Sequence, residues 1–232
     1  MWLSMLTKRI VDTFNNFVEY YEKWYEEPLG RYVVQTETLA LLHLLPKKGI
    51  GIEVGCGTGV FAKEIMKRTD VENVICLDPA FYMLRRAQRK GLDCVNAIIT
   101  PSPIRENSID FAFMITVLEF LVDPLRDLLS IRNLLKEERP FVLMFINKES
   151  IWGRLYQELA MKGEPILSLA KFYSLEDVLS LLKNAGYIVT ELIGILDFPP
   201  DKVPDVEPYI IEKNVRECGA IFVKAFPLIV TR

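Results

Sequence analysis

The segment Gly51–Gly59 constrains the fold of this chain more than any other part of it. It reads Gly-Ile-Glu-Val-Gly-Cys-Gly-Thr-Gly, so an apolar run ends in an acid and three alternating glycines lead into the helix-like segment 60–66. Alternating glycines let the backbone turn sharply and leave no Cβ between the main chain and a ligand. A strand, a glycine turn and a helix in this order predict a ligand-binding loop at the carboxyl edge of an α/β sheet.

Strand-like and helical patterns alternate along the rest of the chain. Apolar runs predict five strands, at 50–54, 73–77, 94–99, 111–117 and 140–146. Helical spacing predicts intervening helices at 59–69, 80–90 and 123–136, and earlier ones at 5–25 and 32–45 with a break at Pro28-Leu29-Gly30. This alternation predicts an α/β fold with a doubly wound, mostly parallel sheet.

The domain organisation follows from length and from the change of pattern after Asn147. A chain of 232 residues is long enough for one substantial core, so we expect a single domain over 1–232. We divide it into four parts: an N-terminal helical segment (1–48), a cofactor-binding core (49–147), a helical insertion and candidate lid (148–172), and a C-terminal part (173–232). The last part contains a helix that begins at Ser174 with a capping box, and strand-like runs at 187–196 and 219–226.

Composition and charge narrow the class of partner. The formal net charge is −3, which makes nucleic acid an unfavoured partner. No apolar window approaches the length of a membrane span, and charged residues interrupt the N-terminus before a signal peptide develops, so we expect a cytoplasmic protein without a membrane partner. The four cysteines have no C-x-x-C spacing, and we interpret them as buried free thiols with no metal site.

Two acids restrict the ligand of the glycine turn. Asp78 ends the strand that follows Glu53 by one strand–helix–strand unit, and an acid at that place can accept both hydroxyls of a ribose. A nicotinamide fingerprint would need a glycine where this chain has Val60. The acid at Glu53 would repel a pyrophosphate and favour a cationic group. The pattern therefore favours a nucleoside that bears an amino acid, such as S-adenosylmethionine.

These residues resemble a known family. The run Glu53–Gly59, followed by Leu77-Asp78-Pro79 and Met83, is similar to the class I S-adenosylmethionine-dependent methyltransferases. The segments 107–112, 117–124 and 134–136 resemble the family's later motifs, and 21–31 resembles the N-terminal helices of its small-molecule branch, which includes the ubiquinone-biosynthesis methyltransferases. The likeness covers roughly 20–190. It implies a Rossmann-like fold with a seven-stranded sheet, N-terminal helices and a helical insertion after the fifth strand.

The resemblance also implies roles for matching positions. Glu53 and the glycine turn would hold the methionine part of the cofactor, Asp78 the ribose, and Met83 the adenine. The family often has an acid after the third strand; this chain has Asn96 to Thr100 there, so adenine would be recognised through the main chain of Ile98 and Ile99. The full set of implied cofactor-binding residues is Tyr21, Glu53, Gly55, Cys56, Gly57, Thr58, Asp78, Pro79, Met83, Ile98, Ile99, Thr116 and Val117.

The reaction implied is in-line displacement at the methyl carbon, with S-adenosylhomocysteine as product. No catalytic group is identified from the sequence; Glu119 and Tyr21 are the candidates. We expect a small-molecule acceptor and a monomer or homodimer. Two alternatives stay open: methylation of RNA or protein through a partner, and a methyltransferase-like protein that binds the cofactor without catalysis. A nicotinamide oxidoreductase is a third, disfavoured by Val60.

Overall fold

A central sheet of seven strands organises the protein, and the computed structural model describes residues 4–228. The strands are β1 (Ile50–Val54), β2 (Asn73–Leu77), β3 (Cys94–Val95), β4 (Phe111–Ile115), β5 (Phe141–Ile146), β6 (Tyr187–Ile195) and β7 (Ala220–Pro227). Their order is β3-β2-β1-β4-β5-β7-β6. The first five run parallel, while β7 is antiparallel to both of its neighbours. The predicted mostly parallel, seven-stranded sheet is therefore confirmed.

Eight α-helices accompany the strands in the described part of the chain. They are α1 (Met5–Asn16), α2 (Val18–Glu26), α3 (Pro28–Leu44), α4 (Val60–Arg68), α5 (Phe81–Arg89), α6 (Pro124–Leu134), α7 (Ile151–Met161) and α8 (Leu175–Asn184). The predicted capping box of α8 is present, because the Ser174 side chain and the Asp177 carboxylate each bind the other residue's backbone N–H. Among residues 4–228, no helix combines the length and apolar character needed to cross a membrane.

The core has two parts, one on each face of the sheet. Buried residues of α3, α4 and α5 pack on one face, and those of α6 and α8 pack on the other. Every residue of β4 and β5 is buried, which explains why their sequences are continuously apolar instead of alternating. Helices on both faces leave the carboxyl ends of the parallel strands as the open edge where a ligand binds.

The N-terminal region differs from the sequence prediction. The predicted single helix over 5–25 is two helices, α1 and α2, with Phe17 between them at a non-helical φ of −108° and ψ of 17°. The predicted break between the helices is present but lies at Glu27, which is extended at a φ of −72° and ψ of 152°; Pro28-Leu29-Gly30 do not form it, because Pro28 is the first residue of α3. Proline suits that position, where its missing N–H has no intrahelical partner to lose. Gly30 permits close packing there, since a Cβ would lie 1.9 Å from the carbonyl oxygen of Trp24.

Two predicted strands are shorter than expected, and both end at the ligand edge. The run 94–99 pairs with the sheet only at Cys94 and Val95. The side chain of Asn96 then donates hydrogen bonds to the carbonyl oxygens of Asp78 and Pro79 at 2.9 and 3.0 Å, which fastens the segment to the end of β2. The run 111–117 leaves the sheet after Ile115, where Thr116 has a positive φ of 51°. Tertiary contacts at the ligand edge therefore override apolar character in both places.

Candidate active site

A cavity of about 680 Å³ lies at the carboxyl ends of β1, β2 and β4. Residues of α1 and α2 line it from one side, and residues of α7 and the segment after it line it from another. Apolar side chains form most of its wall. Its volume is within the range of small-molecule sites, about 300–1,000 Å³. The N-terminal helices and the insertion thus cover the edge where the glycine turn ends.

The glycine turn between β1 and α4 borders this cavity. Gly55, Gly57 and Gly59 have positive φ angles of 69°, 53° and 73°, a region that side-chain-bearing residues rarely adopt. A Cβ on Gly55 would lie 2.5 Å from a methyl group of Val117. At Gly57 the nearest atom to an added Cβ is Cε1 of Tyr21, at 3.8 Å, so the space beside this residue is open. The main chain of the turn is therefore directly accessible to a ligand below Tyr21.

Asp78 lies beside the turn at the end of β2. Its Oδ2 accepts a hydrogen bond from the N–H of Gly57 and its Oδ1 accepts one from the N–H of Ala80, each at 2.7 Å. The residue is 7% exposed and lines the cavity. Burial raises the pKa of its carboxyl to about 6, against the opposing effect of the two N–H donors. Each oxygen keeps a further lone pair, so the carboxylate can still accept hydroxyl donors from a ligand.

Glu53 lies behind the turn and does not line the cavity. It is 2% exposed, and its Oε2 accepts a hydrogen bond from the N–H of Ala62 at 2.9 Å, in the first turn of α4. Burial is the main reason that the pKa of this carboxyl is raised well above its usual range. Cys56 and Thr58 are also buried and outside the cavity wall. Contact of these three side chains with a cofactor stays a prediction.

An apolar slot continues from Asp78 along the cavity wall. Pro79 and Met83 line it from the segment after β2, and Ile98 and Ile99 line it from the segment after β3. Met83 is almost fully buried. A flat, mostly apolar ring fits such a slot, and the sequence analysis predicts adenine there.

Strained backbone marks the opposite wall. Thr116, directly after β4, has a positive φ of 51°, which is rare for a β-branched residue and costs roughly 1–3 kcal/mol. The next residue, Val117, contacts Gly55 across the turn. Both line the cavity, as the sequence analysis expects. Strain of this kind persists where the surrounding packing over-determines the conformation, which is typical of functional sites.

Glu119 is a buried acid with one unpaired oxygen. It lies in a short 3₁₀ turn after β4, is 3% exposed and lines the cavity. Its Oε1 accepts a hydrogen bond from the N–H of Ile146 at 2.8 Å, whereas its Oε2 has no hydrogen-bond partner among residues 4–228. Burial raises the pKa of this carboxyl to about 7. A carboxyl that titrates near neutral pH is suited to accept a proton from a bound molecule.

Sequence reasoning missed a third buried acid of the cavity, Glu37. It lies in α3, is 6% exposed and lines the same cavity. Burial raises the pKa of its carboxyl to about 8. The sequence does carry a signal, because Glu37 is spaced four residues from both Val33 and Leu41 on the buried face of its helix. An acid on an apolar helix face is unusual enough to mark a candidate site.

Tyr21 lies over the turn, as the resemblance implies, but it does not act alone. The hydroxyl of Tyr25 donates a hydrogen bond to the hydroxyl of Tyr21 at 2.5 Å, and their rings meet edge to face. Burial is the largest cause of the raised pKa of both hydroxyls. Because a raised pKa keeps a phenol protonated, the Tyr21 hydroxyl is neutral, and its contact with a ligand stays a prediction.

A family model and two relatives each match most of this chain. A family model described as a methyltransferase domain matches residues 24–192. The uncharacterized protein MJ1123 of Methanocaldococcus jannaschii is 27% identical over 215 residues, which cover 93% of this chain and 98% of that protein. The uncharacterized protein Rv2003c of Mycobacterium tuberculosis is 30% identical over 185 residues, which cover 78% of this chain and 61% of that protein.

A solved structure extends the likeness to three dimensions. The crystal structure of a Thermotoga maritima protein, described as an S-adenosylmethionine-dependent methyltransferase and possible histamine N-methyltransferase, has a TM-score of 0.83. It is 27% identical, and the match covers 94% of this chain and 99% of that one. The open turn at Gly57, the carboxylate of Asp78 and the adjoining apolar slot fit the adenosyl cofactor. The chain therefore belongs to the methyltransferase-domain family and is a class I S-adenosylmethionine-dependent methyltransferase.

Proposed function

We propose that this enzyme methylates a small molecule that binds in the same cavity as the cofactor. The observation that carries the proposal is the continuity of the cavity, whose wall runs from Gly57 and Asp78 to Glu119 and on to Trp152 and Phe172. The part of the wall that contains Trp152 and Phe172 belongs to the insertion after β5 and is largely apolar. Covering helices on two sides favour an acceptor that fits inside over one displayed on a macromolecule.

The description of the T. maritima protein supports a small-molecule acceptor. It is described as a possible histamine N-methyltransferase, and histamine is a small molecule. The negative net charge of the present chain also disfavours a polynucleotide acceptor. Methylation of RNA or protein through a partner is the alternative that the acceptor experiment below distinguishes.

Individual residues of the cavity would have separate roles in binding and proton transfer. When bound, S-adenosylmethionine supplies a methyl group already activated on a positively charged sulfur. Asp78 would accept hydrogen bonds from the ribose hydroxyls, and Met83 with Ile98 would hold the adenine. The covering helices would exclude water and keep donor and acceptor aligned. Glu119 would receive at Oε2 the proton of an acceptor that must lose one, since that oxygen is unpaired.

Two measurements test this function. Calorimetric titration is expected to show binding of S-adenosylmethionine and S-adenosylhomocysteine and no binding of NAD. The protein is then incubated with methyl-labelled cofactor and a cell extract divided into low-molecular-mass, protein and RNA fractions. Label is expected in the low-molecular-mass fraction. Label confined to protein or RNA would refute the small-molecule proposal, and failure to bind either adenosyl ligand would refute the cofactor site itself.

A further inference from the structure

Glu37 is a buried acid of the cavity that the proposed mechanism leaves without a role. Burial is the cause of its raised pKa, and within residues 4–228 its carboxyl takes part in no hydrogen bond or ion pair. An uncompensated carboxylate in an apolar wall is costly in the free protein. The cost is removed when a ligand brings a positive charge to it, which favours a cationic ligand group at this position.

Aromatic side chains line the same cavity as this carboxyl, among them Tyr21, Tyr25 and Tyr156. The charge of Glu37 contributes to the raised pKa of these three hydroxyls, after the larger effect of burial on each. The ring of Tyr156 meets that of Trp152 edge to face at 6.1 Å. Aromatic rings beside a carboxylate form a favourable environment for an ammonium group, because the ring faces are electronegative and the carboxylate supplies the opposite charge.

The helix that carries Glu37 is linked to the insertion. The ring of Tyr32, also in α3, lies 5.5 Å from that of Phe198, and the ring of Phe198 lies 5.7 Å from that of Trp152 in α7. Glu37 and Tyr156 of α7 line the same cavity, so we place Glu37 on the insertion side of it. This is the side that the proposed function assigns to the acceptor.

The charge of the whole cavity wall agrees with a cationic acceptor. The charged residues that line the described wall are Arg126 and six acids: Glu37, Asp78, Glu119, Asp123, Asp127 and Glu164. Even where the buried acids are protonated, the three further acids Asp123, Asp127 and Glu164 outnumber the single cation, so the wall favours cations over anions. S-adenosylmethionine, with its sulfonium, ammonium and carboxylate, carries one net positive charge. Three of these acids are buried, and one of them, Asp78, is hydrogen-bonded to the turn. The cofactor therefore brings one net positive charge for the two remaining buried acids, Glu37 and Glu119.

We propose that Glu37 binds a positively charged amine of the methyl acceptor, so that the acceptor is a protonated amine with an apolar body. The inference rests on the proposed function, because it assigns the acceptor class of the same cavity. Glu37 is then a specificity-determining residue: it selects an amine over a neutral alcohol of equal shape and excludes an acid. Glu119 remains the proton acceptor of the reaction.

The test measures binding to the protein saturated with S-adenosylhomocysteine. The probes are 2-phenylethylamine, 2-phenylethanol and phenylacetate, which share an apolar body and differ in charge. The amine is expected to bind at least about tenfold more tightly than the alcohol, and the acid not at all. Glu37→Gln is expected to abolish the preference for the amine. Glu158→Gln, an exposed acid on α7, is the matched control and is expected to keep it.

Proton release on amine binding is a second measurement. Replacing Glu37 would not change it if the role of Glu37 were only structural. At pH 7 the carboxyl of Glu37, with its pKa of about 8, is largely protonated in the free protein, so an arriving ammonium expels the proton. Titrations in two buffers of different ionisation enthalpy are expected to show release of close to one proton by the wild type. The Glu37→Gln variant is expected to release much less.

Three results would overturn the proposal. They are equal binding of alcohol and amine, no binding of the amine by the loaded wild type, and an amine preference that survives Glu37→Gln. A tenfold loss of S-adenosylhomocysteine affinity in Glu37→Gln would place Glu37 at the cofactor and refute the proposal too. Failure of the wild-type protein to bind S-adenosylhomocysteine would instead refute the proposed function, which keeps the two failures distinct.

Discussion

The carboxylate of Asp78 accepts a hydrogen bond from the N–H of Gly57 at 2.7 Å and thereby joins the end of β2 to the glycine turn. Its other oxygen holds the N–H of Ala80, ahead of α5. One side chain therefore both shapes the turn and presents its remaining lone pairs to the cavity. Ligand binding and local stability are coupled at this residue.

Replacing Asp78 tests both roles. Asp78→Ala is expected to weaken S-adenosylhomocysteine binding by tenfold or more, because the acceptor for the ribose hydroxyls is removed. It is also expected to lower the free energy of unfolding by about 1–3 kcal/mol, since two buried N–H groups lose their partner. Calorimetry and denaturant unfolding measure these effects, with the exposed Asp70→Ala as control. Unchanged affinity would show that the ribose assignment is wrong.

A comparison of Gly55, in the turn, with Gly91, outside it, separates the effect of packing from that of a positive φ. Both have a positive φ, 69° and 82°, but a Cβ on Gly55 would meet Val117 at 2.5 Å, whereas nothing lies within 4 Å of one on Gly91. Gly91→Ala is expected to cost about 1–2 kcal/mol of unfolding free energy from φ strain alone. Gly55→Ala is expected to cost about 1–3 kcal/mol more from overpacking and to reduce S-adenosylhomocysteine affinity. Equal effects in the two variants would contradict the observed packing of the turn.

Glu119 is expected to act on the rate of methyl transfer and not on cofactor binding. Its carboxyl must be deprotonated to accept a proton, so kcat/KM of the wild type is expected to rise with pH through about 7. Glu119→Gln is expected to lower kcat by roughly 10²–10⁴-fold and to remove that rise, because the amide is isosteric but not basic. Its S-adenosylhomocysteine affinity is expected to stay at the wild-type value. A pH profile unchanged by the substitution would exclude Glu119 as the base.

Glu37 is expected to make the ligand-free protein less stable at high pH. The pKa of its carboxyl rises from an ordinary value of 4.5 to about 8 on folding. Below pH 4.5 the group is neutral in both states and costs nothing, whereas above pH 8 the folded state must bury its charge. Glu37→Gln is therefore expected to gain stability relative to the wild type as pH rises from 4.5 to 8, on the order of 3–5 kcal/mol. Urea unfolding across this range measures it.

The matched control for this pH series is Glu158→Gln, because Glu158 is an exposed acid. Its stability difference from the wild type is expected to stay constant over the same range. A Glu37→Gln variant whose stability follows the wild-type pH dependence would show that the Glu37 carboxyl does not titrate within a buried environment.

Local patterns predicted those features that depend on neighbours in sequence. The apolar runs at 111–117 and 140–146 predicted strands, and the structure has strands at 111–115 and 141–146, where helices on both sides leave no polar face. The capping box at Ser174 was also predictable, since both partners lie within four residues. The break at Phe17 was not, because that residue is no helix breaker and the position is decided by packing. The same holds for the early end of β3, where Asn96 binds the loop after β2.

The sequence by itself determined the cofactor class, because Glu53, the glycine turn and Asp78 occupy fixed places in one strand–helix–strand unit. Only the tertiary structure decided what those side chains do. Glu53 turns toward α4, while Glu37, which is distant in the chain from the fourth strand, joins Glu119 in one cavity wall. The physical reason is that burial sets the charge state of a carboxyl, and burial depends on which segments close over it. Helical spacing can mark Glu37 as a buried residue, but it does not identify the segments that close over it.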